Sequence, residues 1–215
     1  MKDASLIAIY GRRGTGKTTL ARSLVAKKRR LVVYDPTEEY SRDRGIIRAD
    51  GIDKVRDIMT QKWKQGFRIA YVPPAGKEVA GLHHLCNLLM AAQRAYYDGQ
   101  GGQQITLLVE EMNLSYPVTA LPAQYPGMPN VASRGRHYGI EVIGVTQRPA
   151  EVSTRFRENC AEVFCLALAG DISRKTVAKD IGNAALAERL AGLRPYEYLR
   201  WNQASGTLST GKTPK

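Results

Sequence analysis

Residues 11–18 read Gly-Arg-Arg-Gly-Thr-Gly-Lys-Thr and follow directly on the apolar run Leu6-Ile7-Ala8-Ile9-Tyr10. This is a complete G-x-x-x-x-G-K-[ST] phosphate loop in the setting it requires, a strand before it and a helix-forming stretch after it. Glycines at 11, 14 and 16 let the main chain curl until several N–H groups converge on one phosphate chain. Lys17 is placed to reach the β- and γ-phosphates, and the Thr18 hydroxyl to ligate Mg2+. A helix opening near Lys17 adds the positive end of its dipole to the same spot. Gly11, Arg12, Arg13, Gly14, Thr15, Gly16, Lys17, Thr18 and Thr19 are therefore the expected nucleotide-binding residues, with ATP and Mg2+ as ligands.

Short aliphatic runs alternate with helical stretches along the whole chain, the pattern of a mainly parallel sheet with helices on both faces. Strands are expected at 6–10, 31–34, 68–72, 105–109, 140–146 and 163–168, with a short edge strand at Ile46-Ile47. The spacing predicts helices over about 17–28, 53–65 and 78–97, and two short helices in 171–192 broken at Gly182. Residues 196–201 and 207–208 read as a closing hairpin. The segment 112–130 carries Pro117, Pro122, Pro126 and Pro129 and reads as a surface loop, and the tail from Gly211 to Lys215 as frayed. His83 and His84 are adjacent, lack metal-ligand spacing, and read as surface or partly buried side chains.

A chain of 215 residues suits one core, so a single domain over 1–215 is expected. Lysine and arginine exceed the acids by a net charge of +12. Such an excess suits a polyanion, nucleic acid being the commonest, or a basic enzyme whose charge is scattered. Part of it, Lys27-Lys28-Arg29-Arg30, also suits the negative end of the first helix. Lys62, Lys64 and the 112–130 segment are candidates to face DNA. Cys86, Cys160 and Cys165 lack metal or redox spacing and read as buried free thiols of a reducing compartment. With no signal-peptide organisation and no apolar stretch near the ~18–20 residues a bilayer demands, the expected setting is intracellular, without membrane insertion.

Splitting a β–γ phosphate bond needs a phosphate cradle, Mg2+ and a group that orients and deprotonates water. Glu110-Glu111 ends the aliphatic run Leu107-Leu108-Val109, where a strand would deliver both carboxylates to one sheet edge. Glu110 is assigned to the Mg2+ shell through water, and Glu111 to the water as general base. A base poised for water favours hydrolysis over phosphoryl transfer to a small molecule. Gln147, after the run 140–146, can hydrogen-bond the γ-phosphate or the attacking water. Arg134 and Arg136 precede that run, and are either solvated helix-end charges or, in an oligomer, a finger entering a neighbour's site.

The segments GRRGTGKTTL (11–20), VVYDPTEEY (32–40), LLVEE (107–111) and GRHYGIEVIGVTQRP (135–149) resemble the FtsK/HerA superfamily of DNA-pumping ATPases. The resemblance spans roughly residues 5–200. It implies a RecA-like (ASCE-type) P-loop core, a homo-oligomeric ring, commonly a hexamer, and translocation of double-stranded DNA. Lys17, Thr18, Glu111 and Gln147 fall on the family's catalytic positions, with Arg136 most like the finger and Arg134 next. Glu110 departs from the more usual aspartate. A bare core of this size resembles viral genome-packaging ATPases, which implies portal or capsid-vertex partners and a place in the host cytoplasm or virion. A HerA-like repair translocase and a zonula-occludens-toxin-like phage assembly ATPase are the alternatives.

Overall fold

The computed structural model describes residues 4–214. Its strands are β1 (Leu6–Tyr10), β2 (Arg30–Tyr34), β3 (Ile47–Ala49), β4 (Phe67–Tyr71), β5 (Ile105–Val109), β6 (Ile140–Thr146), β7 (Glu162–Cys165), β8 (Glu197–Asn202) and β9 (Thr207–Lys212). They join in one sheet in the order β3-β4-β2-β5-β6-β1-β7-β8-β9. Pairing is parallel from β3 to β7, and antiparallel for β7–β8 and β8–β9. Every residue of β2 and β5 is buried, as the near-continuous aliphatic runs of a sheet covered on both faces require.

The two faces carry unequal loads. On one, Leu20, Ala21 and Val25 of α1 (Lys17–Val25) pack on Ile9, Leu31, Val33, Leu108, Ile143 and Val145. The other carries α2 (Ile52–Lys62), α3 (Glu78–Ala92) and α4 (Arg94–Tyr97), then α5 (Met112–Ser115), α6 (Gly127–Arg134), α7 (Thr154–Arg157), α8 (Asp171–Ile181) and α9 (Leu186–Ala191). Its core joins Val55, Leu82, Leu85, Met128, Val131, Phe156, Val177 and Leu190 to the alternate side chains of the strands. Cys86, Cys160 and Cys165 are buried and free, as expected.

The structure revises several local expectations. The proline-rich segment 112–130 contains α5 and the start of α6. Pro126 stands at the α6 N-cap and Pro129 in its first turn, where a missing N–H costs no helical bond. The predicted helix 78–97 breaks at Gln93, whose buried amide donates to the carbonyls of Gln103 and Tyr138. The basic cluster does not cap α1. Arg30 lies buried in β2, over the Trp63 ring and donating to the Trp63 and Gln103 carbonyls. Arg68 instead takes the Val25 and Lys28 carbonyls at the helix end. The tail is not frayed from Gly211, since β9 runs to Lys212 and Thr213 is buried. Lys215 lies outside the described residues.

One glycine marks how closely the layers meet. A Cβ on Gly144, in β6, would lie 2.4 Å from Met112 Sδ and 2.7 Å from Phe156 Cζ. Overpacking of this kind typically costs about 1–3 kcal/mol. Gly144→Ala is expected to lower unfolding stability by that order in a denaturant titration. An unchanged midpoint would show that α5 and α7 do not press on β6.

Candidate active site

The parallel register decides which residues meet. β6 lies between β5 and β1, pairing Val109 with Gly144 on one side and Tyr10 with Thr146 on the other. All three strands therefore release their next residues at the same carboxyl edge, where ligands of open parallel sheets bind. Those residues are the phosphate loop after β1, Glu110-Glu111 after β5 and Gln147 after β6.

The loop is tied down before it opens. Gly11 N–H donates to the Thr146 carbonyl and Arg12 N–H to that of Ala167, at 3.3 and 2.8 Å. These two groups anchor the loop to its neighbouring strands and do not face a phosphate. The Arg12 carbonyl accepts from Thr15 Oγ1 at 2.7 Å and from Lys17 Nζ at 3.3 Å. Gly14 and Gly16 take φ of 77° and 100°, values that a side chain would resist. The N–H groups of Gly14, Thr15, Gly16, Lys17 and Thr18 have no main-chain partner among the described residues, while Leu20 N–H closes the first helical bond on Gly16. That leaves a nest of donors at the start of α1.

These groups border a cleft of about 570 Å3 that brings together Arg13, Lys17, Thr18, Thr19, Glu110, Glu111 and Gln147. Lys17 is buried, and burial lowers its pKa against the opposing charges of Glu111 and Glu110. Glu110 is only 4% exposed, and its Oε2 has no hydrogen-bond partner among the described residues. Burial first, and the adjacent Glu111 carboxylate second, raise its pKa to about 8, with Lys17 opposing. Glu111 is half-buried in left-handed backbone at φ 41°, and its Oε1 accepts from Gln147 Nε2 at 2.6 Å. The two residues assigned to the water from sequence thus touch each other.

The donor set suits Mg2+ in part. An orphaned buried carboxylate oxygen on Glu110 and the Thr18 hydroxyl line one cleft, and nucleotide phosphates and water would have to complete the shell. Among the described residues no group of three His, Cys, Asp or Glu side chains forms a metal cage.

Sequence reasoning quoted the segment 32–40 for its resemblance but gave its residues no part in the site, where they form the second wall of the cleft. Asp35, fully buried after β2, accepts from the N–H groups of Glu39, Tyr40 and Ser41 at 2.8–2.9 Å, and so presents Thr37 and Glu39 to the cleft beside Arg22. Tyr196, at the start of β8, closes the far side. Among the described residues the non-glycine residues with positive φ are Glu38, Glu111 and Tyr196, and all three stand at or beside this cleft.

Arg134 and Arg136 are not brought to it. Both are exposed, Arg134 bonding Asn130 Oδ1 and Arg136 bordering a groove with Ser5, Leu6 and Asn159, at the strand starts. The seven residues of β6 separate this edge from Gln147, roughly 20 Å at about 3.3 Å per residue.

A mainly parallel sheet with a phosphate loop after an inner strand, β1, and a paired acid after β5, with β6 between the two, is the RecA-like P-loop fold. No protein-family model matches the chain. It is 23% identical over 205 residues to Protein P9 of Pseudoalteromonas phage PM2, covering 95% of this chain and 87% of that protein. The genome packaging NTPase B204 from Sulfolobus turreted icosahedral virus 2, solved with AMPPCP, superposes with a TM-score of 0.80 at 16% identity, over 99% of this chain and 98% of that one. The N-terminal domain of zonular occludens toxin from Neisseria meningitidis gives a TM-score of 0.52 at 15% identity, over 99% and 96%. The expected resemblance to viral genome-packaging ATPases is thus present in the three-dimensional fold.

The Glu110 environment makes stability depend on pH. Its folded pKa of about 8 lies above the ordinary 4.5, so between these values the folded chain holds a proton that the unfolded chain releases. Stability contributed by this group is present below pH 4.5 and falls as pH rises towards 8, by at most about 1.4 kcal/mol per pH unit. Denaturant midpoints between pH 5 and 8 should decline less steeply for Glu110→Gln than for the parent. Parallel profiles would refute the buried protonated carboxyl.

Proposed function

We propose that this chain is the ATP-hydrolysing subunit of a double-stranded DNA translocase, acting as one ATPase domain in a homo-oligomeric ring that packages a viral genome. What carries the reading is the convergence of Lys17, Thr18, Glu110, Glu111 and Gln147 in one cleft. The end-to-end likeness of the fold to B204, a packaging NTPase solved with an ATP analogue, supports it. The zonular occludens toxin domain, at a TM-score of 0.52, gives an assembly ATPase weaker support, and nothing in the site favours a HerA-like repair translocase over a packaging motor.

In this mechanism the free N–H groups of the loop and Lys17 hold the phosphate chain. Thr18 and Glu110 are the residues that would hold Mg2+, which would supply charge neutralisation to the phosphates. Glu111 takes a proton from the attacking water as its oxygen bonds to the γ-phosphorus and the β–γ bridging bond breaks. Gln147, bonded to Glu111, fixes the carboxylate against the water and senses the loss of the γ-phosphate. β6 then links that event to the opposite edge of the sheet.

That opposite edge is basic. Lys27, Arg29, Lys64, Arg134 and Arg136 stand exposed near the starts of β2, β4 and β6. The 112–130 segment carries no lysine or arginine, so any phosphate contact it makes would use neutral donors such as Asn, Thr or Tyr. Arg134 and Arg136 lie too far from their own cleft to act there, and a finger role requires the cleft of an adjacent copy. Portal or capsid-vertex proteins are the proposed docking partners. Among the described residues no helix is long and apolar enough to cross a membrane.

Steady-state ATP hydrolysis with and without long double-stranded DNA tests the reading. DNA should raise the rate, and the rise should fade steeply with salt as counterions compete. Glu111→Gln is expected to lower kcat by roughly 10²- to 10⁴-fold, the worth of a general base, while ATP still binds. Turnover indifferent to DNA at every salt concentration would refute translocation, and full activity of Glu111→Gln would refute the base. Arg136→Ala and Arg134→Ala should bind ATP like the parent, and a true finger variant should poison rings formed with parent subunits.

A further inference from the structure

From the same cleft we infer that Tyr196 is the nucleoside-binding residue, its ring the platform on which the base of the bound nucleotide stacks. The inference rests on the nucleotide-binding reading above.

Strand order gives the cleft a direction. Glu111 and Gln147 follow β5 and β6, on one flank of the phosphate loop. β8 lies two strands from β1 on the other flank and runs antiparallel, so its start comes to the same carboxyl edge. The γ-phosphate must sit on the Glu111 flank, where the water is deprotonated. The nucleoside end therefore leaves towards Tyr196.

Tyr196 is built into that position. Its N–H donates to the Thr15 carbonyl at 2.9 Å, and its own carbonyl accepts from Thr213 N–H at 2.8 Å. The two bonds strap the C-terminal hairpin across the phosphate loop and hold Tyr196 in left-handed backbone at φ 68°. The ring lies so close to Gly16 that a Cβ there would be 2.7 Å from Tyr196 Cδ1. Yet 48% of Tyr196 remains exposed, and it is the one aromatic residue on the cleft wall among the described residues. A half-exposed tyrosine on the cleft wall, pinned by its main chain beside the phosphate cradle, is placed to offer its ring to a base. Stacking tolerates any base, so affinity for the nucleoside should exceed discrimination among bases.

The test compares Mg2+-ATP with Mg2+-tripolyphosphate, which fills the cradle and has no base, by calorimetric titration of the full chain. Tyr196→Asn removes the ring and keeps a residue that tolerates left-handed backbone. It should weaken ATP roughly five- to a hundredfold and leave tripolyphosphate within twofold, while Tyr196→Phe should keep both. Tyr196→Trp adds a direct readout, fluorescence quenched by ATP and not by tripolyphosphate. Equal loss of both ligands in Tyr196→Asn, or no quenching in Tyr196→Trp, overturns the platform and leaves Tyr196 a brace for the loop. A parent chain that binds neither ligand overturns the nucleotide-binding reading itself, whereas loss of both in Lys17→Ala alone upholds it.

Discussion

The placement of β6 between β1 and β5 is the constraint on which the rest of the site depends. Its hydrogen bonds to both neighbours set Thr146 beside Tyr10 and Gly144 beside Val109, so three strand ends share one edge to within a residue. A slip of one residue would turn each of these side chains to the other face of the sheet. The contact between Gln147 and Glu111 at 2.6 Å exists only because this register holds. Gly144, squeezed under Met112 and Phe156, shows how little freedom the strand has.

Electrostatics in the cleft follow from burial more than from pairing. Lys17 and Glu110 are both withdrawn from water, and in each case desolvation is the largest cause of the shift. Desolvation works against the charged form of both groups, so the lysine loses basicity while the carboxyl gains it. A phosphate chain reverses the situation for the lysine by supplying the opposite charge. With its pKa near 8, Glu110 keeps a proton at neutral pH, so the cleft carries less negative charge than its two adjacent glutamates suggest.

Much of the site was legible in local sequence because it depends on local rules. Glycine spacing fixes the loop, and aliphatic runs ending on acids or an amide mark buried strands that release polar groups at one edge. The helices of 112–130 were hidden because prolines read as breakers, although at an N-cap and in a first turn they are compatible with a start. Arg30 looked like a helix-end charge, and only the packing of Trp63 beside β2 makes it a buried strand residue. Tyr196 was legible only as the start of a hairpin and Thr213 not at all, because their meaning comes from contact with a loop about two hundred positions earlier.

Glu38, Glu111 and Tyr196 also bear on how the molecule gives way. Left-handed backbone costs a side-chain-bearing residue about 1–2 kcal/mol, and among the described residues that cost falls around the cleft mouth. Stored strain of this kind lowers the free energy of local opening relative to the rigid strands beneath. Heat, denaturant or a protease should therefore find the cleft walls first and the β5-β6-β1 floor last. The part of the chain that is easiest to pry apart is the part that must shift each time a nucleotide enters or leaves.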